Sequence, residues 1–336
     1  MHDHMDMAGL PPLGWPEFFG TWSLQPGWLI PLLLLGLAYL YGHRRADTTT
    51  TVGAWRVACF LGGLALTWVC VASAIGAYAM ALTWMHMVLH LMLIMVVPVL
   101  LVLGHPLTVL LESFPEERRP AVRRVLRSWP VTLLLNPITG TLVYSVVIIG
   151  THLTGFMDEM AMSPALMTGE QVLYIVAGYL FLVPIIGEEP IRSDPPYLTR
   201  ISLLVLGMVP DTIVGIVMLQ TNQNLYPMYT SMRPDWALDP VRDIQTAGAL
   251  MWAGGDGGMM FIAVGLVIAV VVSEKRRARM LGGFLEGVRR QTLVDHVADS
   301  GAAAPEATSG AEFDTDGDEA LAAYNRMLAR LNEQEK

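Results

Sequence analysis

Charged side chains are scarce in this chain of 336 residues. Lysine, arginine, aspartate and glutamate make up 15% of it, whereas hydrophobic residues make up 53%. Soluble domains carry about 25% charged residues, so this composition excludes an ordinary soluble domain and predicts that most of the chain lies in a membrane. The sequence also lacks a basic patch with interleaved aromatic residues, which argues against a nucleic-acid partner.

Cysteine is nearly absent as well. The chain has two cysteines, Cys59 and Cys70, within one apolar segment. On a helix their separation is about 16 Å, which excludes a disulfide between them and a metal ion shared by them. We therefore interpret both as small apolar side chains. The first residues lack the positive segment of a secretory signal peptide, so no cleavable signal is predicted.

Long apolar segments are what the sequence has in abundance. Seven of them are suited to spanning a membrane: 28–41, 55–80, 86–103, 138–152, 171–186, 201–219 and 249–273. The sequence therefore predicts an all-α fold, a polytopic membrane bundle of seven transmembrane helices. The predicted regions are an N-terminal tail (1–25), the transmembrane domain (26–275) and an acidic tail (276–336), in which 319–332 has the apolar spacing of a short amphipathic helix.

Basic residues are distributed unevenly between these segments. Clusters of arginine and lysine follow the first, third, fifth and seventh segments, but the other connections contain only Arg233 and Arg242. Cytoplasmic loops carry the excess of positive charge in membrane proteins. The distribution therefore predicts an N-terminus outside the membrane and a cytoplasmic C-terminus. A surface helix is predicted in the basic loop, at residues 116–128.

Two histidines at the head of the third segment are the strongest candidates for a functional site. His86 and His90 are four residues apart, which places both imidazoles on one face of a helix. An ionisable residue in a membrane is costly and marks a functional site by default. Met85 and Met87 flank His86, and imidazole with thioether suits copper, the thioether selecting Cu(I). We predict a copper site that prefers Cu(I); the alternative is a hydrogen-bonded pair that joins helices.

Further candidate ligands lie on the predicted outer side. His152 ends the fourth segment, and a methionine-rich stretch that includes Met157 and Met160 leads from it to Met167. We predict His152 and Met167 as additional copper ligands, although methionine also fills gaps in membrane helices. Residues in the N-terminal tail could capture copper ahead of the fixed site: His2, His4, Met5 and Met7.

Several polar residues fall inside or beside the apolar segments. A carboxylate in such a place must be paired or protonated. These residues are predicted to support the site within the bundle or to join helices by hydrogen bonds: Glu170, Asp211, Asp243, Gln245 and Asp256.

Several motifs along the chain occur in an order seen in one protein family. They are the His86-x-x-x-His90 helix leading to Pro98 and Gly104-His105-Pro106, the segment Gly-Tyr-Leu-Phe-Leu-Val-Pro-Ile-Ile-Gly at 178–187, the segment Asp-Ile-Gln-Thr-Ala-Gly at 243–248, and Trp252 with Gly255-Asp256. Over about residues 20–280 the chain resembles the CtaG family of cytochrome c oxidase assembly factors. The resemblance implies a polytopic membrane protein linked to copper delivery, and it carries over His86, His90, Asp243 and Gln245.

The chain departs from the family pattern at several positions. Family members commonly carry further histidines where this chain has Met167 and Glu170, and another where Asp211 follows Pro210. Asp256 replaces the usual glutamate of the last segment. A site built of many histidines therefore does not carry over. Either Met167 substitutes as a softer ligand, or the chain has a scaffolding role without metal binding.

We expect a multi-pass protein of a prokaryotic plasma membrane that handles copper at the outer face during assembly of a haem-copper oxidase. Its expected partners are cytochrome c oxidase subunits or other copper chaperones, together with the lipid bilayer. No nucleophile and base are arranged for catalysis, so an enzyme is not expected. The alternatives are a structural accessory subunit of a respiratory complex without metal, a copper transporter, or a haem or quinone electron carrier. The apolar inner stretches 96–103 and 264–272 argue against a transporter.

Overall fold

The computed structural model describes residues 10–46, 52–193, 195–231 and 233–300, with side chains described as far as residue 272. The described residues form helices and their connections, with one isolated β-bridge between Trp22 and Ser73. The predicted all-α class is confirmed. The chain divides into two compact units between Leu266 and Val267, and the residues of the candidate site lie in the first unit.

The helices are numbered in chain order. They are α1 (Trp15–Gly20), α2 (Pro26–Arg45), α3 (Ala54–Ala72), α4 (Ala74–Tyr78), α5 (Thr83–Leu91), a π-helical turn (Met92–Val96), α6 (Val97–Leu103), α7 (Pro106–Glu112), α8 (Arg119–Leu126), α9 (Trp129–Leu134), α10 (Pro137–His152), α11 (Phe156–Ala161), α12 (Pro164–Ile186), α13 (Tyr197–Gln220), α14 (Pro227–Ser231) and α15 (Pro240–Ser300).

Six helical stretches of the described chain are long and apolar enough to cross a membrane. They are Pro26–Arg45, Ala54–Ala72, Thr83–Glu112, Pro164–Ile186, Tyr197–Gln220 and Pro240–Val272. The segment predicted at 138–152 is also helical, but α10 has 16 residues, fewer than the approximately 20 that a perpendicular span requires. The count of seven spans and their orientation therefore remain predictions.

The second predicted segment is interrupted, so the prediction of one helix over 55–80 was wrong. Ser73 has an extended backbone, and its side chain accepts a hydrogen bond from the Ile75 N–H, which starts α4. The Ser23 N–H donates to the carbonyl of Ala72 at 2.7 Å and so satisfies the end of α3. Both cysteines still lie on α3, where Cys70 is buried and Cys59 is half-buried.

Other boundaries differ less. The surface helix predicted at 116–128 is the shorter α8, which has Pro120 in its first turn. The last helix continues to Ser300, well beyond the predicted end of the seventh segment at residue 273. The predicted amphipathic helix at 319–332 lies outside the described residues.

The helix that carries the two histidines changes its winding two residues after His90. Pro98 has no N–H to donate to the carbonyl of Ile94, and the Val97 N–H instead donates to the carbonyl of Met92, five residues back. Gly178 on α12 packs against this turn, because a Cβ at residue 178 would lie 1.9 Å from the Ile94 carbonyl oxygen. Glycine therefore permits the close packing of α12 on the histidine helix.

The same helix also fits closely against α15. A Cβ on Gly254 would lie 2.6 Å from a terminal carbon of Leu91, and one on Gly258 would lie 2.0 Å from the Met95 sulfur. Leu91 and Met95, four residues apart, thus fill the spaces above two glycines that are also four apart. This packing fixes the rotation of α5 and leaves its histidine face toward α12.

Candidate metal centre

His86 and His90 lie together on α5, as their spacing predicts. Both side chains are buried, with 2% and 1% of their surface exposed. Their ring centroids are 4.0 Å apart, which is the arrangement expected for residues one helical turn apart on the same face. The two imidazoles therefore form one side of a buried polar cluster.

Glu170 on α12 forms the other side of this cluster. Its Oε2 lies 3.5 Å from Nε2 of His86, and its Oε1 lies 3.6 Å from Nε2 of His90. These distances exceed the roughly 2.9 Å of an ordinary N–H···O hydrogen bond. The sequence placed Glu170 among the supporting residues, and the structure places it opposite the two predicted ligands.

Three atoms of the cluster are buried without a hydrogen-bond partner in the described part of the chain: His86 Nε2, His90 Nε2 and Glu170 Oε2. Buried polar atoms of this kind are costly and therefore rare. One ligand atom from each residue can be chosen so that all three lie within 4.8 Å of one another. Two imidazole nitrogens and a carboxylate form a donor set that suits a metal cation.

His152, at the end of α10, touches the cluster from a third helix. Its Nε2 lies 3.2 Å from Nδ1 of His90, and its Nδ1 lies 2.9 Å from the carbonyl oxygen of Ile148. The hydroxyl of Tyr174 lies 2.6 Å from Thr151 Oγ1 and 3.3 Å from Glu170 Oε1. The sequence analysis missed both Tyr174 and Thr151. Tyr174 could have been found, because it follows Glu170 by four residues and so lies on the same helix face.

Asp243 holds the start of the histidine helix. Its Oδ2 accepts a hydrogen bond from the Thr83 N–H at 2.8 Å, and its Oδ1 accepts one from the Trp84 N–H at 3.1 Å. Leu82, the residue just before α5, cannot cap the helix with its side chain. The carboxylate therefore satisfies first-turn N–H groups and opposes the positive end of the helix dipole. Gln245 donates to the carbonyl of Thr221 at 2.8 Å.

Two tyrosines from the connection between α13 and α15 cover the cluster. The Tyr226 hydroxyl donates to the carbonyl of His152 at 2.8 Å. The Tyr229 ring centroid lies 5.7 Å from that of His86, and its hydroxyl donates to the carbonyl of Ala79. Burial raises the pKa of both tyrosines above its ordinary value, so both hydroxyls keep their protons at neutral pH.

Asp211 and Asp256 lie in a second polar cluster. The Tyr144 hydroxyl donates to Asp211 Oδ2 at 2.7 Å, and the Thr212 hydroxyl donates to Asp256 Oδ2 at 2.9 Å. These contacts join α10 to α13 and α13 to α15. In the described residues, the group of side chains with metal-ligand spacing consists of His86, His90 and Glu170 and does not include the two aspartates.

The methionines beside the cluster have mixed positions. Met85 and Met87 are buried, but each is one residue from His86 and therefore projects about 100° away from it around the helix. Met167, on α12, packs half-buried against the core. Copper ligation by these three remains a prediction, and the tail residues His2, His4, Met5 and Met7 lie outside the described residues.

Met157 and Met160 are not part of a solvated loop. Both are buried in the short helix α11, with 0% and 1% exposed. The expectation that the stretch after His152 presents these thioethers to the outer compartment was therefore wrong for these two residues. They are packing residues of α11, which contacts α12 and α14.

Comparison with known proteins gives one family and several relatives. Residues 37–273 match the family model described as "Cytochrome c oxidase caa3 assembly factor (Caa3_CtaG)". The chain is 27% identical over 327 residues, 94% of its length, to "Uncharacterized protein ML1998" of Mycobacterium leprae and 27% identical over 311 residues, 89% of its length, to "Uncharacterized protein Mb0105" of Mycobacterium bovis. It spans 45% and 43% of these relatives. No solved structure gives a significant match.

Proposed function

We propose a copper-handling role for this chain, which belongs to the family of cytochrome c oxidase caa3 assembly factors. The family match and the long apolar helices describe a membrane protein that acts in oxidase assembly, which suggests a non-catalytic role. In this proposal copper is cargo that the protein holds and passes on. The family match covers α3 to α14 and every ligand of the candidate centre.

The observation that carries the proposal is the convergence of His86, His90 and Glu170. Their facing atoms are buried and have no hydrogen-bond partner in the described chain. A cation between them would replace the missing partners, and imidazole is a good copper ligand. The two imidazoles therefore fit copper, while the carboxylate is a harder donor that supplies negative charge.

The small number of protein ligands also agrees with an ion that is held and then released. Two imidazoles and one carboxylate leave room for a further donor, so the ion is not enclosed in a complete set of protein ligands. A partner such as an oxidase subunit or another copper chaperone could then supply the next ligand during transfer. Met85, Met87 and Met167 are the proposed sources of thioether donors that would favour Cu(I).

The proposed face is the outer one. The cluster lies near the start of α5, the end of α10 and the first turns of α12. The connections at this end carry few basic residues, which supports its placement outside a prokaryotic plasma membrane. His2, His4, Met5 and Met7 belong to the same side in this orientation, where they would capture copper before it reaches the fixed site.

Copper binding by the purified full-length chain tests the proposal. We expect Cu(I) to be retained against a competing chelator, in preference to Zn(II). The His86→Ala/His90→Ala double variant should lose this retention, and Glu170→Gln should weaken it. His43→Ala removes a histidine near the far end of α2, where Gly42 packs against α7, and is the matched control.

Equal Cu(I) retention by the wild type and the double variant would overturn the copper site. Folding of the variant is checked by its elution as a single species and by its thermal midpoint. If the double variant also supports full oxidase activity in cells, the result would favour the structural accessory role without metal. Copper flux into vesicles that depends on His86 would instead favour a transporter.

A further inference from the structure

We propose that His152 is a positioning residue which fixes the tautomer of His90, so that Nε2 of His90 presents its lone pair to the metal. This inference rests on the proposed function for the identity of the metal. It assigns His152 a role different from that of a third ligand.

The first step is the Nδ1 atom of His152. It lies 2.9 Å from the carbonyl oxygen of Ile148, which can only accept a hydrogen bond. Thr151 Oγ1, 3.0 Å from the same nitrogen, already donates its proton to the carbonyl of Val147 at 2.8 Å and accepts one from Tyr174. Nδ1 of His152 therefore carries the hydrogen.

The second step is the contact between the two rings. In a neutral imidazole with hydrogen on Nδ1, Nε2 has a lone pair and accepts. Nε2 of His152 lies 3.2 Å from Nδ1 of His90, so the hydrogen of this contact belongs to His90. The two rings stand nearly perpendicular, at 89°, an orientation that is compatible with an N–H donor in one ring plane and an acceptor lone pair in the other.

The third step is the opposite nitrogen of His90. With hydrogen on Nδ1, its Nε2 has no hydrogen and faces Glu170 Oε1 at 3.6 Å. Two electron-rich atoms thus point at each other inside a buried cluster, an arrangement that a cation makes favourable. Metal-bound histidines commonly donate their second nitrogen to such a partner, which fixes ring orientation and raises ligand basicity.

The same bonds leave His152 poorly suited to be a ligand. Its Nδ1 is engaged with Ile148, and its Nε2 is engaged with His90. A metal on His152 would have to replace one of these bonds. The α10 helix, whose final carbonyl is held by Tyr226, therefore supplies orientation, while α5 and α12 supply the donors.

Two substitutions separate positioning from ligation. His152→Gln keeps a carbonyl oxygen that can accept from His90 but supplies a poor metal ligand, whereas His152→Leu removes the acceptor. Cu(II) is the probe, because its electron paramagnetic resonance spectrum reports the number of bound nitrogens. We expect affinity to fall about 10- to 100-fold in His152→Leu and to stay near wild type in His152→Gln, with unchanged nitrogen coupling in His152→Gln.

A second measurement needs no metal. In the metal-free full chain labelled with ¹⁵N-histidine, we expect His90 to carry hydrogen on Nδ1, and His152→Leu to shift this hydrogen toward Nε2. A His90 with hydrogen on Nε2 in the wild type would overturn the inference, as would loss of one nitrogen coupling in His152→Gln. If the tautomer is as expected and the wild type binds no copper, the copper proposal fails and the tautomer assignment stands.

Discussion

Asp243 and Glu189 are two buried carboxylates that start helices at the two ends of the Thr83–Glu112 run. Asp243 accepts hydrogen bonds from two backbone N–H groups of α5. Glu189 accepts bonds from the N–H groups of Leu107 and Thr108 on α7, at 3.2 and 2.9 Å, and from the Thr108 hydroxyl at 2.8 Å. In each case a distant segment supplies the cap that the local sequence lacks.

The two ends differ in what the capped helix carries. The first turns after Asp243 present His86 and His90, whose facing nitrogens have no partner in the described chain. The carboxylate of Glu189 has three donors for its two oxygens, so its own contacts account for its burial. A buried carboxylate at a helix start is therefore not in itself the mark of a site. The distinguishing feature is that three unsatisfied side chains, His86, His90 and Glu170, converge at metal-ligand spacing in the described chain.

Thiol labelling gives the largest expected effect, because it is all-or-none. We expect a cysteine at Thr154, beside the histidine cluster, to react with an impermeant reagent in intact cells, and a cysteine at Ala121 on α8 to be protected. Both positions are exposed, and the background would lack Cys59 and Cys70. Reversed labelling would place the cluster at the cytoplasmic end and would contradict the outer-face proposal.

Replacing each of the two capping carboxylates should distinguish an effect on copper affinity from an effect on stability alone. We expect Asp243→Ala to cost roughly 2–4 kcal/mol of stability, because two charge-assisted bonds are lost, and to reduce copper affinity about 10- to 100-fold through displacement of α5. Glu189→Ala should cost a similar amount of stability with copper affinity unchanged. Thermal midpoints and chelator competition measure the two effects. Equal loss of affinity in both variants would show that the ends are not independent.

The smallest expected effect is a pH dependence at the Glu189 end. Burial raises the pKa of Glu189 to about 6, against the hydrogen bonds from Thr108 and Leu107 that lower it. Because the pKa is raised in the folded state, the protonated form of Glu189 favours folding. Its contribution to the free energy of unfolding is complete below pH 4.5 and is lost as the pH rises through 6. The total is about 2 kcal/mol.

Glu189→Gln should remove this slope. The measurement is the difference in thermal midpoint between pH 5 and pH 7.5, which should be smaller in the variant than in the wild type. The exposed Glu188→Gln variant, whose carboxylate pairs with Arg56 at 3.1 Å, is the control and should keep the wild-type slope. An unchanged slope in Glu189→Gln would assign the pH dependence to other groups.

Part of this structure could be predicted because it depends on local sequence. The length of the apolar segments predicted the long helices, and the four-residue spacing of His86 and His90 predicted that both rings lie on one face. The break at Ser73 was not predictable, because it depends on a backbone bond from Ser23, fifty residues away. The same holds for the packing of α11, which contacts α14 in a distant part of the chain.

The partner of the histidines could not be identified from the sequence. Glu170, Asp211 and Asp256 are all acids within or beside apolar segments, and nothing in their local sequence identifies the one that faces the histidines. Helix packing decides which one approaches α5: Gly178 brings α12 against the π-helical turn, and Glu170 lies two turns before that glycine. Asp211 instead meets Tyr144. The orientation prediction is of a different kind, since it depends on the whole distribution of basic residues.

The π-helical turn at Met92–Val96 constrains the number of residues between α5 and α6. An α-helix advances about 100° per residue, so the extra residue of this turn offsets the side-chain directions of α6 from those of α5. The offset lets His86 and His90 face Glu170 while Leu101, nine residues beyond Met92, packs against Gly63 of α3. Deleting one residue from the turn would rotate the side chains of α5 by about 100° relative to those of α6. One of these two contacts would then be lost. Related chains could thus exchange residue types within the turn, but a change in its residue count would disrupt either the convergence of the two histidines with Glu170 or the packing on α3.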